Sequence, residues 1–426
     1  MFIFIYNLFM PIAFIFFLPG LIIKLIKRGG HKETYYERFG IFSNEMKCKL
    51  ESLSRPVWIH AVSVGEAQIA VSFIKQWKIS NPKIDFVLST TTTTGQAIAR
   101  QNAPEDVNVI FCPIDFSWAV KKVLRIIRPE TVVLFETEIW PNLICESSKF
   151  GAKVVQVNAR ISDHSFKGYK KFRYFINPFL SKLTVSCAQT ALDAERLKQI
   201  CPSLLVELTG TMKFDQKIPD NFLELKLDEV FGTDQRRILL AASTHPDEEK
   251  LIAETFKKLQ AEFLDLCLIL IPRHAERGPD VANILQELSI PFYQRTSKEK
   301  IKKRVKCLLA DTTGEMVSFI NKAEIIIVGK SFAGNDEGQN IIEPALMGKA
   351  VIVGPQLKNF RHVMDIMLRG KAIISVGDDE LENSLRDLLK NPNKCKELGL
   401  TAKAVVTEHI GATQRTIDII EKLIKK

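Results

Sequence analysis

Two carboxylates stand two residues apart in the segment 135–141, FETEIWP, which directly follows an apolar run. Glu136 and Glu138 have apolar and aromatic neighbours, Ile139 and Trp140 among them. Solvated surface acids seldom have such neighbours, and burial raises the pKa of a carboxyl group. Carboxyl groups with a raised pKa are common at functional sites, so at least one of the two is predicted to belong to a site.

A third carboxylate, Glu66, follows the apolar run 57–62 and the turn Ser63-Val64-Gly65, at the start of a helix that opens at Ala67. An acid in this place can stabilise the helix through the positive end of its dipole. It can equally act as a general base at the carboxyl end of the strand. The residues alone leave both interpretations open.

The second half of the chain holds residues suited to a nucleotide. Arg273 and Arg277 follow the run 266–271 and are suitable partners for phosphate. Further on, Gly338 frees the backbone, and Asn340 can open a helix whose amides face an anion. Glu343, in the first turn of that helix, is placed to accept two hydrogen bonds from a ribose diol.

Two further stretches each suit more than one partner. The hydroxyl side chains of residues 89–94, before Gly95, suit an anion, sugar hydroxyls or simple helix capping. The stretch 160–175 alternates basic with aromatic side chains, which favours a surface lying on lipid headgroups over one that stacks nucleic-acid bases. A plain amphipathic helix is the alternative. The members are Arg160, Lys167, Lys170, Lys171 and Arg173, with Phe166, Tyr169, Phe172, Tyr174 and Phe175.

The composition excludes several classes of protein. The 426 residues include 46% hydrophobic and 25% charged residues, which excludes a disordered or fibrous chain, and the net charge of +10 favours anionic partners. The eight cysteines form no C-x-x-C pair and the seven histidines no H-x-x-x-H pair. The sequence also lacks a Walker A loop, a G-x-G-x-x-G motif and a D-x-D pair. Neither a dedicated metal site nor a cofactor is therefore expected.

The first 23 residues predict a membrane element. They contain no charged side chain, and a spanning helix needs about 20 such residues. The basic residues that follow, Lys24, Lys27, Arg28 and Lys32 among them, place the rest of the chain on the cytoplasmic side. We therefore expect residues 1–23 to be an uncleaved anchor, a transmembrane helix or, because Pro11 and Pro19-Gly20 interrupt the run, a re-entrant or interfacial one. A helix buried in the core is the alternative.

Short apolar runs that alternate with helical stretches must position the residues above. Continuous apolar runs are typical of parallel sheets buried on both faces, so the chain predicts an α/β protein. The first series of runs lies at 57–62, 86–89, 107–111, 131–135, 154–157 and 183–186, and the second at 238–242, 266–271, 305–310, 325–328, 350–353 and 373–376.

Two such series predict two doubly wound, Rossmann-like domains joined near residues 210–231. We assign residues 31–212 to an N-terminal domain and 213–426 to a C-terminal domain, whose last helices could pack back on the first. Ligands of such sheets lie beyond the carboxyl ends of the strands, so the two domains are expected to face a cleft that contains the site.

Six motifs in this order resemble one family, the 3-deoxy-D-manno-octulosonic acid (Kdo) transferases of bacterial lipopolysaccharide synthesis. The resemblance extends over essentially the whole chain. The motifs are HAVSVGE at 60–66, FETEIWP at 135–141, NAR at 158–160, GTMKFD at 210–215, PRH at 272–274 and NIIE at 340–343.

The resemblance implies an inverting GT-B glycosyltransferase that moves Kdo from CMP-Kdo to a lipid A precursor at the cytoplasmic face of the cell inner membrane, without nucleic acid as a partner. It makes residues 31–212 the acceptor-binding domain and residues 213–426 the nucleotide-sugar-binding domain. It assigns the general base to Glu66 and transition-state stabilisation to Glu136 and Lys213. It places CMP contacts on Pro272, Arg273, Gly314, Glu315, Met316, Asn340, Ile341, Ile342 and Glu343.

One loop departs from the family pattern. Many relatives have two glycines before the Gln/His-Asn pair, whereas this chain has Glu337-Gly338-Gln339-Asn340, so its loop is expected to follow a different path. The alternative functions are another GT-B enzyme that uses a UDP-sugar, including a sugar-nucleotide epimerase, or a membrane-anchored binding protein without catalysis. The presence of Glu66, Glu136 and Lys213 together argues against the last.

Overall fold

The chain folds into two compact units in a computed structural model that describes residues 2–28, 32–219, 221–233, 235–298, 301 and 303–425. Met1 and His31, where the predicted anchor and the predicted N-terminal domain begin, lie outside these residues. Unit 1 contains Met1–Asp215 and Gly411–Lys426, and unit 2 contains Gln216–Ile410. Lys213 therefore belongs to unit 1.

Unit 1 contains a seven-stranded sheet in the order β3-β2-β1-β4-β5-β6-β7, with every neighbouring pair parallel. All residues of β1, β2 and β4 are buried, which explains their largely apolar sequences. The strands are β1 (Val57–Ala61), β2 (Phe86–Thr90), β3 (Asn108–Phe111), β4 (Thr131–Phe135), β5 (Lys153–Ala159), β6 (Val185–Ala188) and β7 (Val206–Leu208).

Helices cover both faces of this sheet. Successive residues of β1 point to opposite faces, so that Trp58 joins one apolar cluster while Val57 and Ile59 join the other. The helices of unit 1 are α1 (Phe2–Arg28), α2 (Asn44–Glu51), α3 (Val64–Ser80), α4 (Thr93–Asn102), α5 (Ser117–Ile127), α6 (Pro141–Phe150), α7 (Asp163–Lys171), α8 (Arg173–Leu180), α9 (Ala191–Ile200) and, after unit 2, α18 (Ala412–Ile424).

Unit 2 repeats this plan with a second parallel sheet, in the order β10-β11-β9-β8-β12-β13-β14. The strands are β8 (Arg237–Thr244), β9 (Leu266–Pro272), β10 (Phe292–Gln294), β11 (Cys307–Leu309), β12 (Ile325–Val328), β13 (Ala350–Val353) and β14 (Ile374–Ser375). The helices are α10 (Asp228–Phe231), α11 (Glu248–Glu262), α12 (Gly278–Glu287), α13 (Met316–Lys322), α14 (Ile342–Leu346), α15 (Arg361–Arg369), α16 (Leu381–Lys390) and α17 (Pro392–Glu408). The prediction of two parallel α/β sheets is confirmed.

Sequence analysis missed two strands, β7 and β10. Both have three residues and lie at the edge of their sheet, where none of their residues is buried. An edge strand has a neighbour on one side only and needs no continuous apolar run, so the pattern that reveals central strands is absent there.

The chain returns to unit 1 at its C-terminal end. The carboxylate of Asp215 accepts hydrogen bonds from the backbone amides of Gly411 (2.6 Å) and Thr413 (2.5 Å) at the start of α18. At the other end of α18, Glu421 accepts a hydrogen bond from the Trp77 indole of α3 at 2.9 Å. Both ends of α18 are thus fixed to unit 1.

Helix α1 lies against unit 1 through its first four turns. The Tyr6 hydroxyl donates to Asp115 Oδ2 at 2.8 Å, and the amide groups of Asn7 and Asn142 bond to each other. The ring of Phe14 contacts Phe116 edge-on, with centroids 5.4 Å apart. Among the helices of the described residues, none combines the length and the apolar character required to cross a bilayer, so the predicted transmembrane helix is not found.

Candidate active site

The carboxyl ends of three neighbouring strands bring the predicted residues of unit 1 together. Strand β1 lies beside β4, and β4 beside β5, all in parallel. Glu66 follows β1, Glu136 and Glu138 follow β4, and Arg160 follows β5. Lys213 lies on a short 3-10 turn, Met212–Asp215, which is connected to β5 because the Met212 amide donates to Asn158 Oδ1 at 3.1 Å.

Glu66 is buried and its carboxylate has a defined orientation. Oε2 accepts a hydrogen bond from the Val62 amide and Oε1 accepts one from the Ser63 hydroxyl, both at 2.9 Å. The Ser63 hydroxyl in turn accepts from the Glu66 amide at 3.3 Å, so the pair caps helix α3. Glu66 therefore stabilises the start of α3. These hydrogen bonds do not exclude a role for its carboxylate as a general base.

The pKa of Glu66 is raised from its ordinary value. Burial is the main cause, and the negative charge of Glu136 adds to it. The hydrogen bonds from Val62 and Ser63 and the positive charge of Arg160 lower it in part. A buried carboxylate with a raised pKa is a better proton acceptor than one in water.

Glu136 adopts an unusual backbone conformation and is paired with Arg160. Its φ of 53° lies in the left-handed region, which few non-glycine residues adopt. Oε2 accepts from Arg160 Nε at 2.7 Å, and Oε1 accepts from the Asn158 side chain at 3.4 Å. Asn158 also has a positive φ, 51°. The Arg160 contact corrects the prediction that this arginine belongs with the lipid-facing residues.

Lys213 is the second cation near Glu66 and Glu136, after Arg160. Burial lowers the pKa of its ammonium group, and the positive charge of Arg160 lowers it further. The negative charges of Glu136 and Glu66 raise it again, so Lys213 interacts electrostatically with both carboxylates. The three residues that the resemblance names as catalytic, Glu66, Glu136 and Lys213, thus belong to one cluster.

Glu138 is the third carboxylate of the cluster. Its Oε2 accepts a hydrogen bond from Trp140 Nε1 at 2.7 Å. Burial, followed by the negative charge of Glu66, raises the pKa of Glu138 to about 7. The Trp140 ring in turn contacts His60 edge-on, with centroids 5.9 Å apart. His60 is fully buried, which lowers its pKa to about 4, so it is neutral and supports the site by packing.

The hydroxyl run of residues 89–94 serves structure in part. Thr92 is the N-cap of α4, since its hydroxyl accepts from the Gly95 amide at 3.1 Å. Ser89 is buried and accepts from the Trp58 indole at 2.9 Å. The capping interpretation is therefore confirmed for Thr92.

In unit 2, the predicted nucleotide residues follow strands β9 and β12 and the loop after β11. Pro272 ends β9, and the Arg273 amide donates to the Thr244 carbonyl at 2.9 Å. The Arg273 side chain is exposed. Arg277 donates to the fully buried Glu249 at 2.5 Å. Arg277 was predicted to bind phosphate, but its charge is neutralised by this carboxylate, so Arg273 is the better candidate.

The segment Gly314-Glu315-Met316 forms the start of α13. Gly314 has a φ of 88°, and a Cβ at this position would meet no atom within 4 Å. Glu315 forms an ion pair with Arg295 at 2.8 Å and accepts a hydrogen bond from Thr312. These contacts lower the pKa of Glu315 and fix the loop.

The segment Asn340-Ile341-Ile342-Glu343 also opens a helix, as predicted. The Asn340 side chain accepts from the Ile342 amide at 3.0 Å at the start of α14, and it donates to Gln216 Oε1 at 2.8 Å. Ile341 and Ile342 are buried and hold the turn in place. Burial raises the pKa of Glu343, and a hydrogen bond with Asn340 lowers it in part.

The residue that departs from the family pattern in this loop, Glu337, has a charged partner. Glu337 forms an ion pair with Lys330. Gly338 has a φ of 70°, and a Cβ there would approach the Leu357 side chain to 2.4 Å. A side chain is therefore excluded at position 338. At position 337 there is room for one, and the Glu337 carboxylate pairs with Lys330.

A group of basic residues around His245 was missed by sequence analysis. Burial and the positive charges of Lys330, His274, Arg277 and Arg273 together lower the pKa of His245 to about 4. The Gln339 amide lies 3.2 Å from His245 Nε2. His245 immediately follows β8, so the rule of searching after each apolar run could have found it.

The buried carboxylate of Glu248 organises the loop after β12 at residues 330–332. Glu248 accepts hydrogen bonds from the backbone amides of Lys330, Ser331 and Phe332 at 2.7–2.9 Å. Glu248 accepts a fourth hydrogen bond, at 2.8 Å, from the backbone amide of His245. This carboxylate fixes the backbone that carries Lys330. The result is a basic patch around His245, in which Lys330 is paired with Glu337 and Arg277 with Glu249, so that Arg273 is the best candidate to bind phosphate.

Comparison with known proteins places the chain among glycosyltransferases. The family model described as "3-Deoxy-D-manno-octulosonic-acid transferase (kdotransferase)" matches residues 33–216. A 3-deoxy-D-manno-octulosonic acid transferase from Haemophilus influenzae is 27% identical over 406 residues, which cover 94% of each chain. One from Rickettsia conorii is 31% identical over 375 residues, covering 87% of this chain and 79% of its own.

The fold has a counterpart among solved structures. A glycosyltransferase from Rickettsia africae superimposes with a TM-score of 0.58 and 13% sequence identity, over 88% of this chain and 99% of its own. At this identity the likeness concerns the fold alone, and it identifies the two parallel sheets as those of a GT-B fold.

Within the described residues, no group of three His, Cys, Asp or Glu side chains is arranged to hold a metal ion. The site is instead built from carboxylates and basic side chains. The chain belongs to the 3-deoxy-D-manno-octulosonic acid (Kdo) transferase family, because it has the six motifs and because relatives named as such transferases match it along most of its length.

Proposed function

We propose that this Kdo transferase of lipopolysaccharide synthesis uses CMP-Kdo as donor and a lipid A precursor as acceptor, with inversion at the anomeric carbon. The observation that supports it best is the cluster of Glu66, Glu136 and Lys213 in unit 1. These are the residues to which the family resemblance assigns catalysis. The charge of Glu136 acts on the pKa of Glu66, and the charges of both carboxylates act on the pKa of Lys213.

Glu66 is the general base of this mechanism. Its carboxylate takes the proton from the attacking hydroxyl of the acceptor as the new bond to the anomeric carbon forms. Burial keeps water from competing for this carboxylate, and the bonds from Val62 and Ser63 orient it.

Lys213 and the Glu136–Arg160 pair stabilise the charges that develop during transfer. The sugar passes through an oxocarbenium-like state as its bond to phosphate breaks, so positive charge grows on the sugar and negative charge on the leaving group. Preorganised carboxylate and cationic side chains lower the energy of such a state. The left-handed backbone of Glu136 keeps its carboxylate in a fixed position relative to Arg160.

Unit 2 binds the nucleotide. Arg273, in the basic patch around His245, binds phosphate, and Glu343 at the start of α14 accepts hydrogen bonds from the ribose hydroxyls. Basic side chains thus supply the charge neutralisation that a divalent ion provides in other sugar transferases.

Unit 1 faces the cytoplasmic leaflet of the inner membrane through the exposed side of α1. Its exposed apolar residues recur at helical spacing and form one stripe: Phe4, Leu8, Phe9, Ile12, Ile15 and Phe16, each between 49% and 80% exposed. Phe2 contacts Phe175 with centroids 4.9 Å apart, which connects this stripe to the exposed Phe172 and Tyr174.

Basic side chains border this apolar surface. Lys170, Lys171 and Arg173 each lie over an aromatic ring at 5.1–5.5 Å. An apolar face with cations beside it is typical of helices that lie in the membrane interface and bind anionic lipids. We therefore propose that α1 is an interfacial anchor and lies in the plane of the membrane.

The activity is tested by incubating the purified protein with CMP-Kdo and a lipid A precursor. We expect the mass of the lipid to rise by one or more Kdo residues, as measured by mass spectrometry, and expect no transfer from a UDP-sugar. Transfer from UDP-sugars alone would contradict the proposed donor.

The anchor is tested separately by flotation with lipid vesicles. The double variant Leu8→Glu/Ile12→Glu should lose binding to vesicles that contain anionic lipid, while Ile79→Glu, which replaces a more exposed apolar residue on α3, should not. Equal flotation of the two variants would contradict the proposed surface.

A further inference from the structure

The charges of the catalytic cluster are unequal in number. Its carboxylates are Glu66, Glu136 and Glu138, and its cations are Arg160 and Lys213. Arg160 is paired with Glu136, and Lys213 is attracted by Glu136 and Glu66. Among the described residues, the side-chain partner of Glu138 is a neutral indole, that of Trp140. One negative charge is therefore in excess if all three carboxylates are ionised.

Of the residues that the structure describes, those whose charges act on Glu138 bring no positive charge to it. Glu66 on α3 and Glu136 after β4 are negative. Tyr169 on α7 and Cys112 after β3 also face Glu138, and both have a raised pKa, partly because of its charge. Tyr169 and Cys112 are therefore neutral, as is His60 behind Trp140.

We propose, on the basis of the function proposed above, that Glu138 is a positioning residue that retains a proton in the resting enzyme and so leaves the cluster electrically balanced for its anionic donor. With Glu138 neutral, two carboxylates face two cations. With Glu138 ionised, the cluster is negative and repels both the carboxylate of the octulosonic acid and the phosphate next to it. Its local bonding fits this role, because the Trp140 indole can donate to Glu138 in either protonation state.

The proton on Glu138 is separate from the one that is transferred. The acceptor oxygen forms a bond with the anomeric carbon, and the bond from that carbon to the phosphate oxygen breaks with its electron pair leaving on CMP. The hydroxyl proton passes to Glu66. Glu138 keeps its own proton throughout and acts only through the charge that Glu66 and the donor experience.

This assignment predicts the alkaline side of the pH profile. The pKa of Glu138 is raised to about 7, first by burial and then by Glu66 and Glu136, against the lowering effect of the Trp140 bond. Glu138 therefore loses its proton as the pH rises through about 7, and kcat/KM for CMP-Kdo should fall there by up to tenfold per pH unit. The acidic side reports Glu66, which must be ionised to act.

The decisive experiment compares pH profiles of kcat/KM for the full-length wild type and Glu138→Gln between pH 5.5 and 9. Gln cannot ionise, so the variant should keep the acidic limb and lose the fall above pH 7. Trp140→Phe removes the hydrogen bond that lowers the pKa of Glu138, so its alkaline limb should move to higher pH. Glu146→Gln, which replaces another buried carboxylate of unit 1, should keep the wild-type profile.

An unchanged alkaline limb in Glu138→Gln overturns the inference and assigns the limb to another group, such as Lys213. If circular dichroism shows that Glu138→Gln is unfolded, Trp140→Phe decides, and an unmoved limb in this variant also overturns it. Absence of transfer by the wild type at every pH refutes the proposed function itself, and with it the basis of this inference.

Discussion

Glu136 and Asn158 show how individual residues carry strain at this site. Both have a positive φ, near 50°, although neither is glycine. Such a conformation costs about 1 kcal/mol or more per residue and persists only where the surroundings impose it. Here the Asn158 side chain bonds both Glu136 and the Met212 amide, and so connects β4, β5 and the turn that carries Lys213. The strain is consistent with positioning of catalytic groups.

At the residue scale, the first prediction concerns Glu66→Gln. The amide keeps the size of the side chain and can still accept one hydrogen bond, but it cannot take a proton. Loss of a general base typically lowers the rate by about 10²–10⁴-fold. Steady-state kinetics should show this loss in kcat, with the melting temperature lowered by a few degrees at most because a cap is weakened.

The affinity for CMP is the control for that variant. It should not change, since the nucleotide contacts are assigned to unit 2. A Glu66→Gln enzyme with near-normal turnover would remove this residue from the mechanism. A variant that unfolds would show that Glu66 serves only to cap α3.

The second prediction concerns Glu343 and the ribose. A hydrogen bond to a charged group contributes about 1.5–3 kcal/mol, so Glu343→Ala should weaken CMP binding by about 10–100-fold. Calorimetry with 2′,3′-dideoxy-CMP distinguishes the cause. The wild type should bind this analogue far more weakly than CMP, whereas the variant should bind the two alike. Glu287→Ala, which replaces an exposed acid on α12, should behave like the wild type.

At the scale of elements, Asp115 joins α1 and α6 to the end of the sheet. Its carboxylate accepts from the backbone amides of Asn142 (3.0 Å) and Leu143 (2.8 Å), at the start of α6, as well as from Tyr6 of α1. Trp140, at the N-cap position of α6, provides no side-chain cap. A distant aspartate thus caps the helix that directly follows the segment of Glu136 and Glu138.

The third prediction is a pH dependence of stability due to Asp115. Burial raises its pKa to about 6 in the folded protein from 3.8 in a free side chain. The folded state therefore binds an extra proton between these values, and the stabilisation is complete below pH 4 and lost as the pH rises through about 6. The upper limit of this loss, two pKa units, is about 3 kcal/mol.

Urea unfolding between pH 4 and 7.5 measures this effect. The free energy of unfolding of the wild type should fall with rising pH relative to that of Asp115→Asn, which cannot titrate. Parallel curves for the two proteins would show that Asp115 has an ordinary pKa.

At the scale of the whole molecule, the distribution of charge distinguishes the two units. The cluster in unit 1 combines three carboxylates with two cations, whereas the patch around His245 in unit 2 contains the basic residues Arg273, Arg277 and Lys330. Basic side chains attract anionic groups such as the phosphate of a nucleotide.

The fourth prediction follows from this charge. Transfer should survive excess EDTA, since Arg160, Lys213 and Arg273 provide the positive charge that would otherwise come from a metal. Assays with and without chelator, each with the same CMP-Kdo concentration, should give equal rates. A loss of activity that a divalent ion restores would reveal a metal requirement.

The sequence by itself determined the two parallel sheets and the loops in which the candidate residues lie. A strand buried on both faces must be apolar throughout, so all of the central strands are visible as runs, and the carboxyl ends of those runs directed attention to Glu66, Glu136 and Glu343. These features depend on residues close together in the chain, and their periodicity can be read locally.

Only the tertiary structure decided which distant residues meet. Three contacts join side chains that are more than 20 residues apart in the chain. They are the ion pair of Glu136 with Arg160, the ion pair of Glu249 with Arg277, and the hydrogen bond from Tyr6 to Asp115. No local pattern encodes such contacts, because any basic residue can satisfy any acid that the fold brings near it. The sequence therefore gives the chemical groups of the site, and the packing of the sheets decides which of them share a charge.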